Sequence, residues 1–192
     1  LAILPPDSRS PFGSATDEFL LEPLRTSHVE LDYDAVMESR LQLRDWSLSD
    51  WPADDFTLAG NLQDLAEHQQ EHDEGSAFTY TILTPDRTAC LGCVYVKPLA
   101  PLFAAAHEAA TGERPAFAAR VYFWVRTSRL ADGLDRRVLA HLRGWFGDEW
   151  QLDRVVFATS DRAKQQQRCL EEAGLRRAYR VPLPGGYFLA YL

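Results

Sequence analysis

The run Ala77-Phe78-Thr79-Tyr80-Thr81-Ile82-Leu83 is followed by the turn signal Thr84-Pro85-Asp86-Arg87 and then by Cys90-Leu91-Gly92-Cys93-Val94-Tyr95-Val96. Two extended runs with so short a turn between them predict an antiparallel hairpin in the middle of the chain. Upstream, Phe19 to Leu24 reads as a first strand. Val29, Leu31, Ala35, Val36, Leu41 and Leu43 predict a helix over 27–44. Leu58, Leu62, Leu65 and Ala66 predict an amphipathic helix from Leu58 to His72. Residues 45–56 hold Trp46, Trp51, Pro52 and four aspartates, a loop with aromatic anchors.

Downstream, the Ala-rich stretch from Pro98 to Pro115 contains a short helix, and Arg120 to Val125 is a strand. Leu134, Val138, Leu139, Leu142, Trp145 and Phe146 mark a helix that Gly147 should end. Arg154 to Thr159 is a strand, Asp161 to Ala173 a helix stopped by Gly174. Arg177 to Leu183 and Tyr187 to Leu192 pair across Pro184-Gly185-Gly186. The order is β, α, α, β, β, β, α, β, α, β, β. Residues 5–15 are rich in Pro, Ser and Gly, so residues 1–17 are expected as an extended arm and 18–192 as one domain, in keeping with a length of 192.

The net charge of −8 makes the chain a poor general binder of nucleic acid. The charge is uneven: residues 1–119 hold 7 basic and 20 acidic side chains, residues 120–192 hold 13 and 8. An acidic first part should attract a cationic partner. No stretch approaches the roughly 20 apolar residues that span a bilayer. The opening Leu1-Ala2-Ile3-Leu4-Pro5-Pro6-Asp7 is short for a secretion signal and lacks a basic leader, and the chain does not begin with Met, as in a trimmed chain. Three cysteines, Cys90, Cys93 and Cys169, predict reduced thiols in a cytoplasm.

Element order, Gly92-Cys93-Val94-Tyr95 in the second hairpin strand, Trp124-Val125 before a polar loop and helix, and Cys169-Leu170-Glu171-Glu172-Ala173-Gly174-Leu175 at a helix end together resemble the GNAT superfamily of acyl-CoA-dependent N-acetyltransferases. The branch that acetylates ribosomal-protein N-termini is the most similar. The resemblance covers about residues 18–192. It implies a mixed, mostly antiparallel α/β (α+β) sheet, splayed between the family's strands four and five, with helices on both faces. It also implies acetyl-CoA as co-substrate, no metal, and a small-molecule or peptide amine as acceptor, and leaves a homodimer open. A catalytically inactive GNAT-fold binding or regulatory module is the alternative.

The implied acetyl-CoA site takes in Val125, Arg129, Gly133, Leu134, Asp135 and Arg136. The family's pyrophosphate loop reads Arg/Gln-x-x-Gly-x-Gly/Ala, and the aligned Leu130-Ala131-Asp132-Gly133-Leu134-Asp135 keeps only Gly133. Asp132 as an N-cap, with Asp135 in the first turn, would put carboxylates where phosphate sits. Arg129, Arg136 and Arg137 would supply compensating charge. In the family's helix four, Ala163, Gln166 and Leu170 stand where Asn, Ser and Tyr or Leu are usual. The tyrosine that protonates the departing thiolate is therefore absent, and Tyr122, Ser160 and Cys169 are the nearby alternatives, with Cys169 read as a core thiol. Trp46, Trp51, Asp50 and Asp54 are expected to bind a cationic amine by charge and cation–π contact.

His68-Gln69-Gln70-Glu71-His72 fits the His-x-x-Glu-His pattern of a zinc protease, but no third ligand is evident. Cys90 and Cys93, three apart on a strand, should point to opposite faces. No metal site is therefore expected.

Overall fold

The computed structural model describes residues 3–5, 8 and 10–192. Eight strands form one sheet: β1 (Ser14–Ala15), β2 (Leu20–Pro23), β3 (Phe78–Leu83), β4 (Cys90–Pro98), β5 (Ala118–Val125), β6 (Arg154–Ser160), β7 (Arg177–Leu183) and β8 (Gly186–Tyr191). Six helices accompany them: α1 (Val29–Glu38), α2 (Arg40–Ser47), α3 (Leu58–Glu74), α4 (Pro101–Thr111), α5 (Leu134–Asp148) and α6 (Lys164–Glu172). The spatial order is β1-β2-β3-β4-β5-β6-β8-β7. Every pairing is antiparallel except β5 with β6, whose crossover is α5.

Alternation along β5 divides the molecule. Val121, Phe123 and Val125 face α5, whose Leu134, Val138, Leu139, Leu142, Trp145 and Phe146 fill that side of the core. Tyr122 and Trp124 face the opposite layer of α1, α2 and α4. Burial of the α5 stripe is the main stabilising term on its side, at roughly 25 cal/mol per Å² removed from water.

The arm is more than an appendage. Ser14 and Ala15 pair with Leu21 and Leu20, Ile3 is buried in the core, and the Tyr80 hydroxyl donates to the Pro11 carbonyl at 2.7 Å. The helix expected over 27–44 breaks at Ser39, whose N–H is shared by the Ala35 and Val36 carbonyls, and a second helix runs on to Ser47. Gly147 does not stop α5, which continues through Asp148. Ser160 accepts from the N–H groups of Arg162 and Ala163, holding 161–163 as a turn, so α6 starts at Lys164.

The expectation that Cys90 and Cys93 face opposite ways is overturned. Leu83 pairs with Cys90 and Ile82 with Gly92, so Leu91 is an extra residue in β4. This bulge resets the alternation and turns both thiols to one side. All three cysteines are free and buried. No helix among the described residues is long and apolar enough to cross a membrane.

Candidate active site

β5 and β6 stay paired only from Ala118–Arg154 to Val121–Phe157. Beyond this, β6 turns to β8, pairing Phe157 to Ser160 with Tyr191 to Phe188. The last residues of β5 are therefore without a strand on that edge, and their polar groups must find other partners. Side chains supply them. Trp46 Nε1 donates to the Phe123 carbonyl at 3.1 Å, and Gln166 Nε2 donates to the same oxygen. Gln42 Nε2 donates to the Val125 carbonyl at 3.2 Å. Gln166 is itself held by the Thr159 hydroxyl at 2.6 Å. The splay opens a cleft of about 450 Å³ lined by Gln42, Phe123, Val125, Asp135, Lys164 and Gln166.

At one end of the cleft lies the start of α5. Gly133, not Asp132, is the N-cap, with φ of +75°. Asp132 Oδ1 still accepts from the Leu134 N–H at 3.2 Å, and Asp135 Oδ1 accepts from the Arg136 N–H at 2.9 Å. Two donors of a helix start, where an anion would bind, thus face the chain's own carboxylates. The loop's arginines are paired as well. Arg129 meets Asp132 at 2.8 Å, Arg136 meets Glu172 at 2.8 Å, and Arg137 meets Glu18 at 2.6 Å. These hydrogen bonds and charges hold the carboxyls of Glu18 and Asp132 below their usual range. Leu134 points into the core and lines no part of the cleft.

The cleft fits an extended thioester arm, because it presents a strand edge with replaceable partners. The loop fits a phosphate only if arginines change partners. All three pairs are partly exposed, where water screens the charges, so exchange costs little.

A second cavity of about 470 Å³ lies on the α1–α3 side of β5. Trp46, Trp51, His68, Tyr95, Tyr122 and Phe188 form its aromatic walls. Trp51 Nε1 donates to Asp64 at 3.1 Å. Burial pushes the Asp64 carboxyl up, against the Trp51 hydrogen bond. Lys97 meets Glu71 at 3.2 Å, and Arg120 lies over the Phe103 ring at 4.6 Å and the Tyr122 ring at 5.3 Å. Trp46 lines this cavity while its indole bonds Phe123, which lines the first, so one hydrogen bond links the two.

Of the residues singled out in the sequence, Trp46, Trp51 and Tyr122 come together here. Asp50 and Asp54 do not. Arg44 donates to the Pro52 carbonyl at 2.9 Å and to Asp54 at 2.6 Å, folding the loop back on α2 and leaving Asp54 84% exposed. Ser160 lines neither cavity; its hydroxyl donates to the Asp45 carbonyl. Cys169 is buried in the core against α5, as read. Asp64, Lys97 and Arg120 were not anticipated, and His68 was weighed only as a metal ligand. Their signal was there: Asn61, Asp64, Leu65 and His68 recur at helical spacing, and Arg120 shares the two-residue alternation of Tyr122 and Trp124.

His68 and His72 do not converge on a metal. His68 Nδ1 lies 3.1 Å from Glu71, while His72 Nδ1 lies 3.2 Å from the Thr79 carbonyl, its ring against Phe78 and Tyr80. Among the described residues, one cluster of ligand-type atoms occurs, Asp32 with Cys90 and Cys93, fully buried. Burial raises the Asp32 carboxyl, and a hydrogen bond with Cys90 together with burial raises the Cys93 thiol.

No family profile matches the sequence, and no curated protein matches it either. Solved structures do match. The microcin C7 self immunity acetyltransferase MccE, in complex with acetyl-CoA and AMP, is 15% identical over 96% of this chain and 97% of that one, with a TM-score of 0.71. The ribosomal L7/L12 alpha-N-protein acetyltransferase RimL, in complex with coenzyme A, is 15% identical over 93% and 94%, at 0.70. The ribosomal-protein-S5-alanine acetyltransferase from Vibrio fischeri is 16% identical over 94% and 95%, at 0.67. The fold is that of the GNAT acetyltransferases, in which the splay between β5 and β6 here corresponds to the family's strands four and five.

Proposed function

We propose that the chain is an acyl-CoA-dependent N-acetyltransferase acting on a primary amine. The observation that carries this reading is the adjacency of a splayed strand edge and an aromatic cavity, linked by the hydrogen bond from Trp46 to the Phe123 carbonyl. An acyl donor and an acceptor need two such sites meeting at one point. RimL and the Vibrio fischeri protein are named for ribosomal proteins, and MccE is complexed with AMP. Acceptors therefore differ within this fold, and the cavity of each chain decides.

Acetyl-CoA supplies the acetyl group as a thioester. The carbonyls of Phe123 and Val125 take the amide N–H groups of its arm in place of Gln166, Trp46 and Gln42. Arg129, Arg136 and Arg137, with the Gly133 turn, hold its pyrophosphate after exchanging carboxylate partners. The acceptor amine enters between Trp51, Tyr95 and Tyr122. Its lone pair forms the new N–C bond as the C–S bond breaks. Asp64, its basicity raised by burial, takes the amine's proton directly or through water. Tyr122, kept protonated by burial, donates a hydrogen bond to the departing thiolate, which takes its proton from water. Positioning accounts for much of the rate.

One observation favours a non-catalytic reading: Asp132 and Asp135 sit on the α5 donors where phosphate would bind. An assay of CoA thiol release with acetyl-CoA and a panel of primary amines separates the two. Amine-dependent release that falls at least tenfold in Tyr122→Phe supports the enzyme. Acetyl-CoA binding without release for any amine supports the binding module.

A further inference from the structure

The acceptor cavity is bipolar, and its basic end is not neutralised. Arg120 and Lys97 stand directly opposite each other in the β4–β5 register. Like charges so placed repel. Lys97 is compensated by Glu71, to which it makes two contacts, at 3.3 and 3.2 Å. Arg120 has no such partner: no carboxylate of the described residues lies within 4.0 Å of its guanidinium, and its Nε is buried without an acceptor. The guanidinium stacks on Phe103 and Tyr122 instead, which fixes its plane but does not cancel its charge. A half-buried cation left unpaired in an aromatic pocket is costly unless something binds it. At the other end of the same cavity, Asp64 and the Trp51 ring offer a cation site.

We propose that the acceptor is an amine that also carries an anionic group, a carboxylate or a phosphate, and that Arg120 receives it. A planar fork of N–H donors suits either anion by paired hydrogen bonds. The placement along β5 sets the geometry. Arg120 is three residues before Phe123, about 10 Å of extended strand from the carbonyl that marks the transfer point. The anion therefore lies several bonds from the reacting nitrogen, after the reach of the Arg120 side chain is subtracted. This differs from the expectation of a cationic acceptor held by Trp46, Trp51, Asp50 and Asp54, of which the two aspartates do not line the cavity. The inference rests on the acyl-transfer reading for the word acceptor, but the anion site itself does not need that reading.

The test uses matched pairs of amines: 4-aminobutanoate against butylamine for carboxylate, and phosphoethanolamine against ethanolamine for phosphate. In the acetylation assay, one anionic member should exceed its neutral partner in kcat/KM by at least tenfold. Which pair shows the preference distinguishes carboxylate from phosphate. Arg120→Gln should erase the preference through KM with kcat little changed, and Arg120→Lys should keep part of it. Calorimetric titration of the same four amines without acetyl-CoA reads the site independently of turnover. Tighter binding of an anionic member, lost in Arg120→Gln, with no acetylation of any amine, sustains the anion site and sinks the acyl-transfer reading. Acetylation or binding that is equal within both pairs, an absence of binding and acetylation for all four, or a preference that survives Arg120→Gln overturns the proposal. If Arg120→Gln does not fold, Arg120→Lys alone decides: it must weaken the anionic member severalfold and leave the neutral one unchanged.

Discussion

The indole N–H of Trp46 meets the Phe123 carbonyl at 3.1 Å, a contact that links a residue lining the aromatic cavity to a residue lining the splayed cleft. The bond is a stand-in. It satisfies a strand edge that β6 has abandoned, as do the Gln166 and Gln42 amides beside it. Each stand-in must be given up when an extended arm pairs with β5, so each opposes binding by about the net worth of a hydrogen bond, roughly 1 kcal/mol.

Gln166→Met removes one of these competitors while keeping volume in the cleft. Acetyl-CoA should bind about fivefold more tightly by calorimetry, a gain of roughly 1 kcal/mol. Unchanged or weaker binding would show that the arm does not use the Phe123 carbonyl.

Asp135→Asn keeps the side-chain oxygen that accepts the Arg136 N–H and deletes the charge. At about 8 Å from a phosphate, that charge repels it by roughly 2 kcal/mol at an effective dielectric of 20, and salt reduces this to about 1. Acetyl-CoA affinity should rise several-fold, whereas pantetheine, which lacks the pyrophosphate, should bind as before. A parallel gain for pantetheine would place the phosphates elsewhere.

Ser160→Ala separates structure from catalysis. The hydroxyl donates to the Asp45 carbonyl and accepts two backbone N–H groups ahead of α6, as a helix cap does. Thermal unfolding should show a loss of about 1 kcal/mol. The kcat for acetyl transfer should stay within about twofold, since a group off both cavities adds none of the roughly 100-fold expected of an acid or base.

Asp32 gives the stability curve a slope. Burial holds its carboxyl above the ordinary value of 3.8, against hydrogen bonds from Asn61 and Cys93. The folded chain therefore keeps a proton that the unfolded chain releases. The stability this supplies is complete below pH 3.8 and declines as pH rises through the folded-state value. Relative to wild type, Asp32→Asn, followed from pH 4 to pH 8, should gain in melting temperature as pH rises and level off once the folded-state carboxyl has ionised. A constant difference across that range would mean that Asp32 does not titrate differently on folding.

Much of this fold was legible because it lies in local patterns. The 77–96 hairpin, the α5 stripe and the closing hairpin each follow from alternation or helical spacing together with a turn. The bulge at Leu91 was not legible as a pattern, although Gly92 marks it. Its φ is +146°, and a Cβ there would lie 2.0 Å from the Trp124 carbonyl. The pairing of Ser14–Ala15 depends on distant partners, which no local pattern encodes. At the site, Trp46 and Trp51 stood out as bulky residues in a polar loop. Asp50 and Asp54 stood beside them in sequence, but Arg44 folds the loop back and carries Asp54 away. Asp64 and Arg120 reach the cavity from α3 and β5, elements that read mainly as core.

The most direct test of the account is a calorimetric titration of acetyl-CoA into the chain, paired with thermal unfolding at saturating ligand. The splayed β5 edge and the exchangeable arginines predict one site per chain. They also predict a melting temperature that rises with ligand, by the equivalent of about 2.7 kcal/mol at 100 times the dissociation constant. Absence of heat and of any thermal shift at millimolar acetyl-CoA would contradict the assignment of this cleft to an acyl donor.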